Sequence, residues 1–144
     1  MQFNAKKFIK NINYQHWEKV ENFFHKDIEF SNPFCPEPIK GKEKVREVMG
    51  EQIHILPNFE YEIVKAFVDD EGASLELERK GGKIVWKGLP YAVQYKFPEV
   101  MLIEFKDDKI FRIRNIFDAG YIMRGIEKAM AKQDDDESIL GKRE

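Results

Sequence analysis

Val100-Met101-Leu102-Ile103-Glu104-Phe105, the acidic pair Asp107-Asp108, and then Lys109-Ile110-Phe111-Arg112-Ile113-Arg114-Asn115-Ile116-Phe117-Asp118 read as two strands joined by a tight turn. Aspartate suits the turn because its short side chain bonds nearby backbone and tolerates left-handed geometry. Strict alternation along the second strand puts Arg112, Arg114, Ile116 and Asp118 on one face and Phe111, Ile113, Asn115 and Phe117 on the other. A lone carboxylate ending an apolar strand makes Asp118 a candidate site residue.

Upstream, the same period of two begins at Phe59, Tyr61 and Ile63 and runs to Val68, where Asp69-Asp70-Glu71-Gly72 predicts a hairpin turn. Leu75 and Leu77 continue the return strand. Gly81-Gly82 is expected to turn the chain again, ahead of a further short strand at Ile84-Val85-Trp86.

The first third of the chain changes period. Asn4 is placed to cap a helix with Ala5, Phe8, Ile9 and Ile12 at helical spacing, and a second stripe of Trp17, Val20, Phe23 and Phe24 predicts a helix over Gln15 to His25. A first strand is expected at Asp27 to Phe30. Pro33, Pro36 and Pro38 then predict an extended loop that closes at Gly41. Val45, Val48, Met49, Gln52, Ile53 and Leu56 mark a third helix stopped by Pro57. Beyond Asp118, the residues Ile122, Ile126, Ala129 and Met130 predict a terminal helix, and Asp134-Asp135-Asp136-Glu137 reads as a solvated tail.

Helices followed by antiparallel strands indicate an α+β class. The expected form is a cone-shaped, curved, antiparallel (mixed) sheet wrapped around about three N-terminal helices. Residues 1–132 are expected to form one domain and 133–144 a charged, disordered tail.

With 144 residues, 42% of them hydrophobic and twelve of them Phe, the chain has the material for one well-filled core. Its 24 basic and 26 acidic residues are mixed along the sequence, which leaves no large positive field for nucleic acid. Cys35 is the single cysteine, so no internal disulfide and no cysteine-rich metal site is expected. Met1 to Phe8 has no apolar core of signal-peptide length, and no run reaches the roughly 18 apolar residues of a membrane span. The expectation is a cytoplasmic protein with no nucleic-acid or membrane partner.

The helix pair, Asp27-Ile28-Glu29-Phe30-Ser31-Asn32-Pro33, Gly41 opening a helix, Leu56-Pro57-Asn58-Phe59, Asp70 to Leu77, Phe97-Pro98, and Phe105 to Asp118 carry a resemblance. In order and spacing over about residues 4–123 they resemble the SnoaL-like branch of the nuclear transport factor 2-like superfamily. The resemblance implies a cone-shaped barrel with a deep pocket for a small molecule, no cofactor, and in many cases a homodimer through the sheet. Members include ketosteroid isomerases, polyketide cyclases, epoxide hydrolases and proteins without demonstrated activity.

The family's catalytic positions are incompletely filled. An isomerase needs a carboxylate base, with a tyrosine and a neutral acid as oxyanion donors. Asn32, Phe8 and Met101 stand at the matching positions here, and none of them does that chemistry. Of the epoxide-hydrolase set only the final carboxylate has a counterpart, Asp118, while Glu99-Val100-Met101 replaces the Arg-x-Asp of the neighbouring strand. A cyclase leaning on one acid/base carboxylate is the more economical match, with Asp118 in that role. Whether the chain is an enzyme stays open on these residues.

Each candidate also has a plain structural reading. Asp118 is equally suited to capping the following helix. If it points inward it would pair with Arg114; the alternative puts Arg112 and Arg114 on the outer face of a bulged strand. Asn32 is a candidate donor to a ligand carbonyl, or the maker of a turn with its own backbone. Trp17, Tyr61 and Trp86 are candidate ligand-binding walls, or simple core. Two functions follow: a pocket for a small, largely apolar ligand, of roughly 300 Å³ or more with Asp118 at its wall, or a non-catalytic binding or dimerisation module.

Overall fold

A computed structural model describes residues 3–141 of the protein. The side chain of Asn4 accepts the Lys7 amide at 3.0 Å and so starts helix α1 (Ala5–Asn13), which turns Phe8, Ile9 and Ile12 into the core. Helix α2 (Trp17–Glu21) is shorter than the apolar stripe predicts, because Phe24 and His25 are claimed by strand β1 (Phe24–Asn32). There Phe24 pairs with Ile110, and burial in the sheet overrides the weak helical preference of Phe and His.

The proline-rich segment forms strand β2 (Cys35–Lys40) where a loop was expected. Strand β2 lies at the sheet's edge and pairs only with β1, through Phe30–Ile39 and Glu29–Lys40. A strand with one free side has backbone positions that need no N–H donor, which lets it hold Pro36 and Pro38. Helix α3 (Lys42–Ile55) follows, then β3 (Glu60–Val68), β4 (Gly72–Trp86), β5 (Leu89–Lys106), β6 (Lys109–Ile116) and α4 (Ala119–Gly141).

The six strands form one curved, mixed sheet in the order β2-β1-β6-β5-β4-β3, with β1 and β6 parallel and every other pair antiparallel. The chain does not turn at Gly81-Gly82 as expected: β4 is continuous, and its register with β5 shifts there through an extra residue on β5. Gly81 supplies the reason. A Cβ at this position would run into the phenol of Tyr95, its partner on β5, so the missing side chain makes room for a ring instead of a turn. Turns with two successive positive φ values come at Lys87-Gly88 (51° and 79°) and at the expected Asp107-Asp108 (52° and 58°), and the expected hairpin turn from Asp69 to Gly72 closes with Asp69 Oδ1 accepting the Glu71 and Gly72 amides.

Helices α1, α3 and α4 cover the inner face of the sheet. Phe8, Phe24, Ile28, Phe30, Leu75, Leu77, Met101 and Ile113 form a contiguous buried core between the layers. Helix α4 runs on through residues 133–141, where a tail was expected. The run after Ala129 has no proline and no glycine before Gly141, so nothing in it stops a helix. Residues 142–144 lie outside the described part. No helix among the described residues is long and apolar enough to cross a membrane.

Candidate functional site

Strands β3, β4, β5 and β6 each place one polar side chain on the covered face: Tyr61, Arg79, Glu99 and Asn115, all at most 4% exposed. Register brings them together. Tyr61 is the direct cross-strand partner of Arg79, Glu99 lies two residues beyond Arg79's partner Phe97, and Asn115 pairs with Met101, two residues beyond Glu99. Same-face neighbours of this kind are within reach of long side chains.

Arg79 Nη2 lies 2.9 Å from Glu99 Oε1 and 3.0 Å from Oε2, and it also donates to the Tyr61 hydroxyl. Tyr61 in turn donates to Glu99 Oε2, and Asn115 Nδ2 reaches the same oxygen at 3.2 Å. The guanidinium sits over the rings of Phe59 and Tyr61, both at 4.6 Å, with Phe117 at 5.8 Å and Phe97 at 5.9 Å. Guanidinium is planar and weakly hydrated, which suits it to stacking in such a place better than ammonium. Asn13 fixes the outer end of the arrangement by bonding the Tyr61 backbone in both directions, at 2.8 and 2.9 Å.

Burial sets the electrostatics. Desolvation pushes the Glu99 carboxyl above the usual carboxylate range, with Arg79 and the Tyr61 hydrogen bond offsetting part of the rise. Desolvation likewise drives the Tyr61 phenol well up, Arg79 opposing and Glu99 reinforcing. Burial works against the charge on Arg79, but the Tyr61 and Glu99 oxygens overcome it and raise its pKa. The cluster therefore keeps a firmly protonated guanidinium and a neutral phenol around one carboxyl group.

A cavity of about 250 Å³ opens beside this cluster, between the sheet, α3 and α4. Its walls are mainly apolar, including Phe34, Val48, Trp86, Phe117 and Met123, and Arg79 brings the buried polar cluster to its surface. Asn32 and Cys35 also line it. The volume falls somewhat short of the expected 300 Å³, and Asp118 is not on its wall.

The sequence-derived candidates separate. Tyr61 belongs to the buried cluster and Trp86 to the cavity wall. Asn32 lines the cavity, yet its Oδ1 accepts the backbone N–H groups of Phe34 and Cys35 at 2.9 and 2.8 Å, which is the turn reading. Trp17 packs from α2 against the core, away from the cavity. Arg112 and Arg114 are exposed on the outer face of a bulged strand: the register of β6 with β5 shifts at Phe111, and from Arg112 on the alternation buries Ile113 and Asn115.

Asp118 departs furthest from its expected role. Its side chain is 67% exposed, accepts the Gly120 amide at 2.9 Å, and pairs with Arg124 at 3.1 Å. The Arg124 hydrogen bond lowers its pKa, the direction opposite to that of a carboxyl group tuned for proton transfer. Phe117, one residue earlier, takes the inward position at the end of the strand.

Arg79 and Glu99 were absent from the sequence-derived candidates, although a signal for both exists. Leu75, Leu77 and Arg79 share one register on β4, as do Phe97, Glu99, Met101 and Ile103 on β5. A charge inside an otherwise apolar alternation implies a buried, paired ion.

The arrangement resembles known proteins of the same fold. A protein with a ketosteroid isomerase-like fold from Catenulispora acidiphila, solved with trimethylamine, superposes with a TM-score of 0.65 at 14% identity, covering 77% of this chain and 82% of that one. An LEH-like epoxide hydrolase of M. tuberculosis gives 0.64 at 15% identity over 88% and 89%. A cystatin-fold protein from Novosphingobium aromaticivorans gives 0.65 at 23% identity over 78% and 93%. At these identities the likeness is one of fold. No curated protein matches the sequence significantly. The model of the SnoaL-like domain matches residues 5–113, most of the chain and all of its sheet up to the middle of β6. By that match the chain belongs to the SnoaL-like domain family.

Proposed function

We propose that the protein binds a small, largely apolar molecule in its inner cavity and seats one hydrogen-bond-accepting group of that molecule on Arg79. The observation that carries this reading is the pairing of a mainly apolar cavity of about 250 Å³ with a guanidinium held rigid by Tyr61, Glu99 and a surround of aromatic rings. Such pockets take most of their binding energy from apolar burial and their orientation from a few fixed polar groups. Arg79 donates without accepting, so it selects a carbonyl, ether or similar oxygen.

A guanidinium in a dry site also polarises a carbonyl and stabilises negative charge developing on its oxygen. Glu99 is the carboxyl group bonded to Arg79, and Glu51 of α3 also lines the cavity. Oε2 of Glu99 accepts from Arg79, Tyr61 and Asn115 while Oε1 keeps only the ion-pair contact with Arg79, an arrangement that favours a role in positioning Arg79 over direct proton transfer. The exposed place and lowered pKa of Asp118 weigh against acid/base work there. The best-supported reading is therefore ligand binding, with Arg79 as anchor.

Acetophenone and ethylbenzene test it as a matched pair with and without an acceptor oxygen. Followed by the Trp86 indole N–H resonance, the ketone is expected to bind more tightly than the hydrocarbon, and the Arg79→Met/Glu99→Leu double variant is expected to abolish the difference. Equal affinities in the wild-type protein, or binding that leaves Trp86 unmoved, would sink the assignment.

A second reading has its own support. Val64, Phe67 and Val68 leave large apolar side chains exposed on the edge strand β3. Exposed apolar side chains on a strand edge favour self-association, and a homodimer through the sheet would cover them. Sedimentation of the wild-type protein and of Phe67→Lys decides: a dimer that the substitution dissociates supports this reading, and a wild-type monomer removes it.

A further inference from the structure

A second cavity lies beside α4, separate from the one that Arg79 lines. It is a groove of about 370 Å³ between α4 and the far ends of β4 and β5. Ile84, Val93, Ile122 and Ala129 make an apolar floor. Above them Arg124, Lys128 and Lys132 line the rim, four residues apart and so on one face of the helix. Among the described residues no acidic side chain lines the groove. Arg124 is committed to Asp118 at 3.1 Å, but Lys128 and Lys132 make no ion pair among the described residues.

Like charges at this spacing oppose helix formation, so the stripe is not explained by the stability of α4. Tyr95 also lines the groove. It is only 5% exposed, and its hydroxyl has no hydrogen-bond partner among the described residues. Burial pushes that phenol up to about 12, which keeps it a neutral donor at ordinary pH.

An apolar trough, a cationic rim and a spare buried donor are complementary to one chemistry. We propose that the α4–β5 groove is a binding site for a single-chain amphiphilic anion of the fatty-carboxylate class, its tail along Ile84, Val93 and Ala129 and its head group at Lys128 and Lys132. The groove shares only Leu56 and Ile122 with the inner cavity and does not include Trp86 or Arg79, so Trp86 and Arg79 report on the other site.

Sodium decanoate, decanol and anionic phosphatidylglycerol vesicles separate the possibilities. The proposal expects saturable decanoate binding that shifts the backbone resonances of Val93, Gly125 and Ala129 and leaves the Trp86 indole signal in place. Decanol is expected to bind about tenfold more weakly, as is decanoate to Lys128→Glu/Lys132→Glu, because each loses charge-assisted hydrogen bonds. Ala129→Phe, which fills the trough without altering charge, is expected to abolish binding. Unchanged affinity in either variant overturns the proposal. So do shifts confined to Trp86, absence of saturable binding below the micelle-forming concentration, and binding to vesicles without binding to free decanoate.

Discussion

Arg79 on β4 and Glu99 on β5 form a buried ion pair, with Nη2 2.9 Å from one carboxylate oxygen and 3.0 Å from the other, on the covered face of a sheet whose neighbouring positions are Leu77, Phe97 and Met101. Taking two charges out of water costs several kcal/mol per ion, and only geometry and extra hydrogen bonds offset it. Tyr61 and Asn115 provide those bonds. Removing one partner strands the other, so Arg79→Met or Glu99→Leu alone is expected to cost about 3–5 kcal/mol. The double substitution, apolar on both sides, is expected to recover most of that loss. Urea unfolding of the four proteins checks it, and additive single effects would contradict the pairing.

Tyr95 gives the protein an alkaline limit. Its folded pKa is raised to about 12 by burial, against an ordinary phenol value of 10.0. A raised folded pKa means that the fold retains the proton longer than the unfolded chain does. The contribution is therefore complete below about pH 10 and is lost as pH rises toward about 12. Tyr61, also raised, acts in the same direction. The melting temperature is expected to fall across this window, and Tyr95→Phe is expected to flatten the fall. A Tyr95→Phe protein with an unchanged slope would refute the assignment.

Asp118 bears on the opposite end of the pH scale. Its pKa is lowered, first by the Arg124 hydrogen bond, so its contribution to the start of α4 is present at neutral pH and lost as pH falls through its folded value. Both partners are mainly exposed, so Asp118→Asn is expected to change the melting temperature little. Ligand affinity at the inner cavity is expected to be unchanged in this variant. A large loss of affinity without loss of fold would return Asp118 to the site.

The contrast between Asp118 and Glu99 indicates what the sequence made legible. The class, the helices α1 and α3, and the turns at Asp69 to Gly72 and Asp107-Asp108 are readable because periodicity and turn chemistry are local. Which face of β6 points inward was not. Alternation separates Asp118 and Arg114 from Asn115 and Phe117 but does not say which set is buried, and that is decided by α3 and α4 closing over one side. The Arg79–Glu99 pair needed the register between β4 and β5, a long-range property. Its local trace was two charges at apolar positions of the two strands. The edge position that admits Pro36 and Pro38 is likewise invisible until strand order is known.

Gly81 tests how far that packing tolerates change. The Gly81-Gly82 pair reads as a turn, but its use in the fold is to let the Tyr95 ring lie across β4. At Gly81→Ala the new methyl overlaps Tyr95 Oη and Cζ, with Cε1 at 3.0 Å, and the ring is held in place by the core around it. Overpacking of this kind costs roughly 1–3 kcal/mol. Shortening the opposing side chain removes the clash, so in a Tyr95→Val background the same alanine is expected to cost well under half as much. Urea denaturation of the two single variants and the double variant measures the coupling. If Gly81→Ala costs the same in both backgrounds, the glycine serves the bulge itself and not the ring.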